Sequence, residues 1–160
     1  MDGNQNKVID ELFNFGTEIM NKYKIYPYTD FVVRDSVIVS RGYNYERESG
    51  DISMQSAVTA IRWAQESLEV GDLTGYTLYS LFEPTILGFD VALWSGIRNF
   101  VWCLNSSSLP KHYNKLKYTP LDYLKNHPGK ITIKNGIREK EVLELVKIAK
   151  KNKYYPDNLF

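Results

Sequence analysis

Two places in this sequence have the form of a reactive site. At Ser53 to Ala57 a polar loop gives way to a helical pattern, and at Pro84 to Gly88 an apolar run ending in Glu83 does the same. Helix N-termini leave backbone N–H groups unpaired and favour negative charge, so they suit thiolates, metal ligands and anions. Thr85 and Gly88, which follow the proline of the second turn, are poor at any such chemistry. The turns have the shape of a site without its usual chemistry.

Other residues do not supply it. The two histidines, His112 and His127, fall in late, surface-like segments, and Cys103 ends a strand pattern, so nothing has metal-site spacing. Glu83 and Asp90 are acids with no base or nucleophile paired to them. We therefore expect no catalytic residue, no metal and no cofactor. Gln55 can hydrogen-bond Thr85, a ligand or a buried water. Pro84 terminates a strand and pre-sets the following helix, or lines a pocket together with Glu83 through backbone groups.

The elements that must position these residues follow from periodicity. Val8, Leu12, Phe15, Ile19 and Tyr23 mark a first amphipathic helix. "DFVV" and "SVIVS", joined by a charged turn at Arg34 and Asp35, read as a hairpin. The loop "RGYNYERESGD" leads to Ser53, which is expected to cap a second helix with Met54, Ala57, Ile61, Ala64 and Leu68 on one face. "GYTLYSLF" is a strand, and "TILGFDVALW" a helix capped by Thr85. "IRNFVWCL" is a buried strand, "PLDYLKN" a short helix, "KITIK" a last strand, and a helix from about Gly136 closes the chain. A hairpin followed by strand–helix alternation predicts a three-layer α/β/α sandwich around a five-stranded mixed sheet, in one domain over residues 1–160.

Composition narrows the function classes. Hydrophobic residues at 43% and charged residues at 24% describe a globular chain, and a net charge of +1 argues for neither nucleic acid nor membrane. "KHYNKLKY" mixes Lys and Tyr as a nucleic-acid groove would, but a short charge run of this kind is better explained as a solvated surface loop. The first segment has acidic residues among its apolar ones, unlike a signal peptide or membrane span, so a cytoplasmic location is expected.

At this point the chain resembles a known family, the cytidine and deoxycytidylate deaminase superfamily, nearest its tRNA adenosine deaminase and guanine deaminase branch. "TDFVV" after Pro27 resembles the first strand, "RGYN" the Gly-x-Asn loop, and "DISMQSAVTAIR" the helix that carries His-x-Glu. "TLYSLFEP" resembles the strand before Pro-Cys-x-x-Cys. The resemblance implies a cytidine deaminase-like fold, a nucleobase pocket that includes Asn44, and association through helices into homo-oligomers or with another deaminase-fold subunit. In the signature, His, Cys and Cys hold zinc and Glu moves protons. Here the His and Glu positions are Gln55 and Ala57, and the Cys positions are Thr85 and Gly88. The resemblance thus implies the fold and, by the same residues, a degenerate member that binds or assembles without deaminating. The relic pocket would be formed by Asn44, Gln55, Ala57, Glu83, Pro84, Thr85 and Gly88. Asn44 alternatively forms an Asx-turn in its loop.

Overall fold

The computed structural model describes residues 3–109, 118–125 and 129–154. His112, His127 and all but Tyr118 of the Lys–Tyr stretch lie outside them. The elements in chain order are α1 (Gly3–Tyr23), β1 (Thr29–Arg34), β2 (Val37–Tyr43), α2 (Glu46–Ser49), α3 (Ser56–Leu68), β3 (Thr77–Phe82), α4 (Ile86–Trp94), β4 (Asn99–Leu104), α5 (Pro120–Leu124), β5 (Thr132–Lys134) and α6 (Glu139–Lys151). They build a five-stranded sheet in the order β2-β1-β3-β4-β5. β1 is antiparallel to β2 and β3, whereas β3, β4 and β5 run parallel. The hairpin turn places Asp35 and Ser36 at φ 49° and 65°, the left-handed pair that matches strand twist in a two-residue turn.

Strand alternation sorts the core into two halves. Phe31, Val33, Tyr79, Leu81, Val101 and Cys103 meet α1 and α6 on one face. Val32, Leu78, Phe100 and Trp102 meet α3 and α4 on the other. The central strands β1, β3 and β4 therefore bury both faces, which is why their sequences read as nearly continuous apolar runs, whereas the edge strands β2 and β5 are partly exposed. The expected α/β/α sandwich and mixed sheet are both present. No helix among the described residues is long and apolar enough to cross a membrane.

The second helix departs from expectation at its start. Ser53 does not cap it: its hydroxyl and N–H both donate to Asp51 Oδ1, at 2.6 and 2.9 Å. The N-cap position belongs to Gln55, and the capping oxygen comes from Asn44, whose Oδ1 accepts from Ser56 N at 2.8 Å. Asn44 thus caps α3 from outside the helix. Its side chain reaches twelve residues along the sequence, a distance that a search for local caps does not cover.

A row of small and polar residues crosses the sheet beneath this helix end. Gly42 pairs with Asp30, and Asp30 with Ser80. A Cβ at Gly42 would stand 2.3 Å from Ser56 O and 2.4 Å from Ala60 N, so only glycine lets α3 settle on β2. Ser40 Oγ to Ala60 O at 2.6 Å and Thr59 Oγ1 to Tyr43 O at 2.9 Å pin the helix there. Asp30, 4% exposed, accepts a hydrogen bond from the Ser80 hydroxyl, and the nearby Ser56 hydroxyl also favours its charged form.

Burial outweighs both hydroxyls and raises the Asp30 carboxyl to about 6. A raised acid pKa means that the fold binds the proton more tightly than the unfolded chain does. The associated stability is complete below the unfolded carboxylate range and is lost as pH rises through about 6. Denaturant titrations from pH 4 to 7 should show wild type losing about 2 kcal/mol relative to Asp30→Asn. Parallel pH profiles for the two proteins would refute this assignment.

Candidate functional site

The two helix N-termini that stood out in the sequence meet at the ends of β1 and β3. Thr85 caps α4 as expected, its Oγ1 accepting from Gly88 N at 3.1 Å. The same hydroxyl donates to Gln55 Oε1 at 2.5 Å, tying the start of α4 to the start of α3. Beside this bond the helices touch through their smallest residues. A Cβ built at Gly88 would lie 2.8 Å from the Ala57 Cβ, well inside the usual 3.5–4.0 Å carbon contact.

This arrangement does not fit zinc. Two ligands at about 2.0 Å from one tetrahedral zinc stand roughly 3.3 Å apart. Gln55 Oε1 and Thr85 Oγ1 are at 2.5 Å and bonded to each other, with no room for an ion between them. Ala57 and Gly88 have no donor atom, and a thiol at position 88 would push α3 and α4 apart. Among the described residues no group of three or more His, Cys, Asp or Glu side chains is placed to hold a metal.

Next to the joint lies a pocket of about 90 Å³. Its wall includes Asn44, Gln55, Ala57, Glu83, Pro84 and Thr85, six of the seven residues singled out from the sequence. Gly88, the seventh, lies behind that wall, packed against Ala57. Pro84 precedes the cap of α4 and β3 ends at Phe82, so it marks the strand-to-helix corner as well as the pocket wall.

Glu83 does more than line this corner. Its N–H extends the ladder to Leu104 O at 2.7 Å, and its Oε2 accepts from Ser106 N at 2.7 Å. Its Oε1 is buried and has no hydrogen-bond partner among the described residues. Asp90 lies on α4 and is not part of the wall, and Cys103 is a core residue whose thiol burial pushes up to about 12.

Sequence reading missed Asp30, Glu46 and Ser56, which also line the pocket. Asp30 had a readable signal, an acid inside the otherwise apolar run "TDFVV", where a charge is rarely buried without a reason. Glu46 had none, because its short helix follows the strand directly and lies in a stretch that reads as a polar loop. The wall thus combines three carboxyl residues with two amides and contains no Lys, Arg or His.

No protein-family model and no curated protein matches the sequence. Solved structures do match the fold. One comes from a study of A-to-I editing by tRNA:A34 deaminases at the wobble position of transfer RNA. It is 20% identical, with a TM-score of 0.71 over 86% of this chain and 96% of that one. A guanine deaminase from Nitrosomonas europaea is 17% identical, with a TM-score of 0.68 over 87% and 82%. A mutant protein in complex with 8-azaguanine is 16% identical, with a TM-score of 0.72 over 88% and 84%. The sheet order, the two helical layers and these superpositions agree that the chain has the cytidine deaminase-like fold.

Proposed function

We propose that this chain, as one deaminase-like domain over residues 1–160, is a zinc-free binding and assembly protein that does not deaminate nucleobases. The observation that carries this reading is the direct Gln55–Thr85 hydrogen bond at the place where two metal ligands would stand. An enzyme of altered chemistry on the same scaffold has less support. Of its two candidate acids, Glu83 has one oxygen committed to Ser106 and Asp90 is outside the pocket. A cytoplasmic setting agrees with the single buried thiol of Cys103.

The binding role is assigned to the pocket, with a nucleobase or nucleoside as ligand. Its concave wall of buried amides and carboxyls supports this, as does a similar fold solved with 8-azaguanine. Nucleic acid is the weaker partner, since three carboxyl residues line the pocket and repel phosphate. Purified protein should contain far less than one equivalent of zinc by elemental analysis. It should also release no ammonia from a panel of amino-purines and amino-pyrimidines. Stoichiometric zinc together with ammonia release would contradict the proposal.

The assembly role is assigned to α4. That helix is apolar apart from Asp90 but buries only Gly88, Phe89, Ala92 and Leu93. Leu87, Val91 and Trp94, spaced at i, i+4 and i+7, form a second stripe, and Trp94 is 86% exposed. Such a stripe is costly in water and is best covered by a second copy of the chain. Light scattering on eluting protein should give an oligomer for wild type and a monomer for Trp94→Lys. A monomeric wild type would exclude self-association and leave a different deaminase-fold subunit as the partner to capture.

A further inference from the structure

The hydrogen-bond inventory of the pocket specifies a kind of ligand, given the reading above that the pocket binds one. The Thr85 hydroxyl has a single proton. Its oxygen already accepts from Gly88 N, and the proton goes to Gln55 Oε1 at 2.5 Å. With Oε1 turned to Thr85, Nε2 is the group of the Gln55 amide that is left for a ligand. Gln55 is only 9% exposed, so an unmet amide nitrogen there is expensive. Asn44 is fixed in the same sense, because Ser56 N can only donate and therefore holds Asn44 Oδ1, leaving Nδ2.

The remaining wall offers mainly acceptors, together with the Thr29 hydroxyl, which is buried, unpaired among the described residues and able to accept or donate. Asp30 is buried, and a carboxylate has more acceptor sites than the two serine hydroxyls beside it occupy. Glu83 Oε1 is buried and unpaired among the described residues. An anionic ligand would face these acids with no Lys, Arg or His on the wall to offset them. A cation would satisfy the acids but leave both amide nitrogens unpaired. An amino group set against Gln55 would oppose donor to donor. A ligand that presents a carbonyl beside an N–H meets both sets.

We infer that Gln55, oriented by Thr85, is the recognition group of this pocket and that its ligand is a compact, uncharged cyclic amide. The ligand carbonyl accepts from Gln55 Nε2, and a ring N–H donates to the Asp30 or Glu83 carboxylate. The preference is for oxo over amino heterocycles.

Isothermal titration calorimetry with uracil against cytosine, and hypoxanthine against adenine, tests this on wild type and two variants. Wild type should bind the oxo member of each pair at least ten-fold more tightly. Gln55→Glu still accepts from Thr85 but offers the ligand an acceptor, so the preference should invert. Gln55→Met keeps the bulk without the amide, so the ratio should fall close to one. Tighter binding of the amino members by wild type, or a ratio that neither variant changes, would overturn the inference while leaving a ligand pocket in place. Binding of none of the four would remove the pocket reading and the inference together.

Discussion

The hydroxyl of Thr85 has one proton to give and lone pairs to receive, and the joint between α3 and α4 is built on that arithmetic. It accepts from Gly88 N, which starts α4, and donates to Gln55, which starts α3. A neutral hydrogen bond of this kind contributes about 1 kcal/mol net. Removing one partner is costlier, because it strands a buried amide. The bond therefore acts more through specificity than through strength. It fixes where two helix ends meet and which face of the Gln55 amide looks into the pocket.

Two close approaches allow that bond to form. Gly42 lets α3 lie directly on β2, and the Ala57–Gly88 contact brings α3 against α4. Larger residues at either place would lift the helix ends apart, and overpacking of this sort costs about 1–3 kcal/mol. Asp30 works in the opposite direction. Its carboxylate is desolvated beneath α3 and costs stability at neutral pH, with two hydroxyls as partial compensation. A buried acid that the sheet does not need for packing is the kind of feature found where a protein handles a ligand.

Much of the fold was legible because both faces of β1, β3 and β4 are buried and helices such as α1 and α3 carry a single periodic stripe. The alternation through Phe31, Val32 and Val33, or through Val101, Trp102 and Cys103, is local information. The start of α3 was placed too early because its cap comes from Asn44, reached only once the loop folds back. The Gln55–Thr85 contact was one of several partners open to Gln55, and only the meeting of two helices selects it. Asp30 and Ser80 are neighbours solely through the β1–β3 register, across fifty residues of sequence. Sequence motifs thus located the corner of the site, while its acids depended on long-range pairing.

The claim on which the account rests is that this hydrogen bond, not a metal, joins α3 to α4. A double-mutant cycle with Gln55→Met and Thr85→Val, read by denaturant unfolding with and without a strong zinc chelator, tests it most directly. The account predicts a coupling of about 1–2 kcal/mol that the chelator leaves unchanged. Zero coupling, or a wild type that the chelator destabilises, would contradict it.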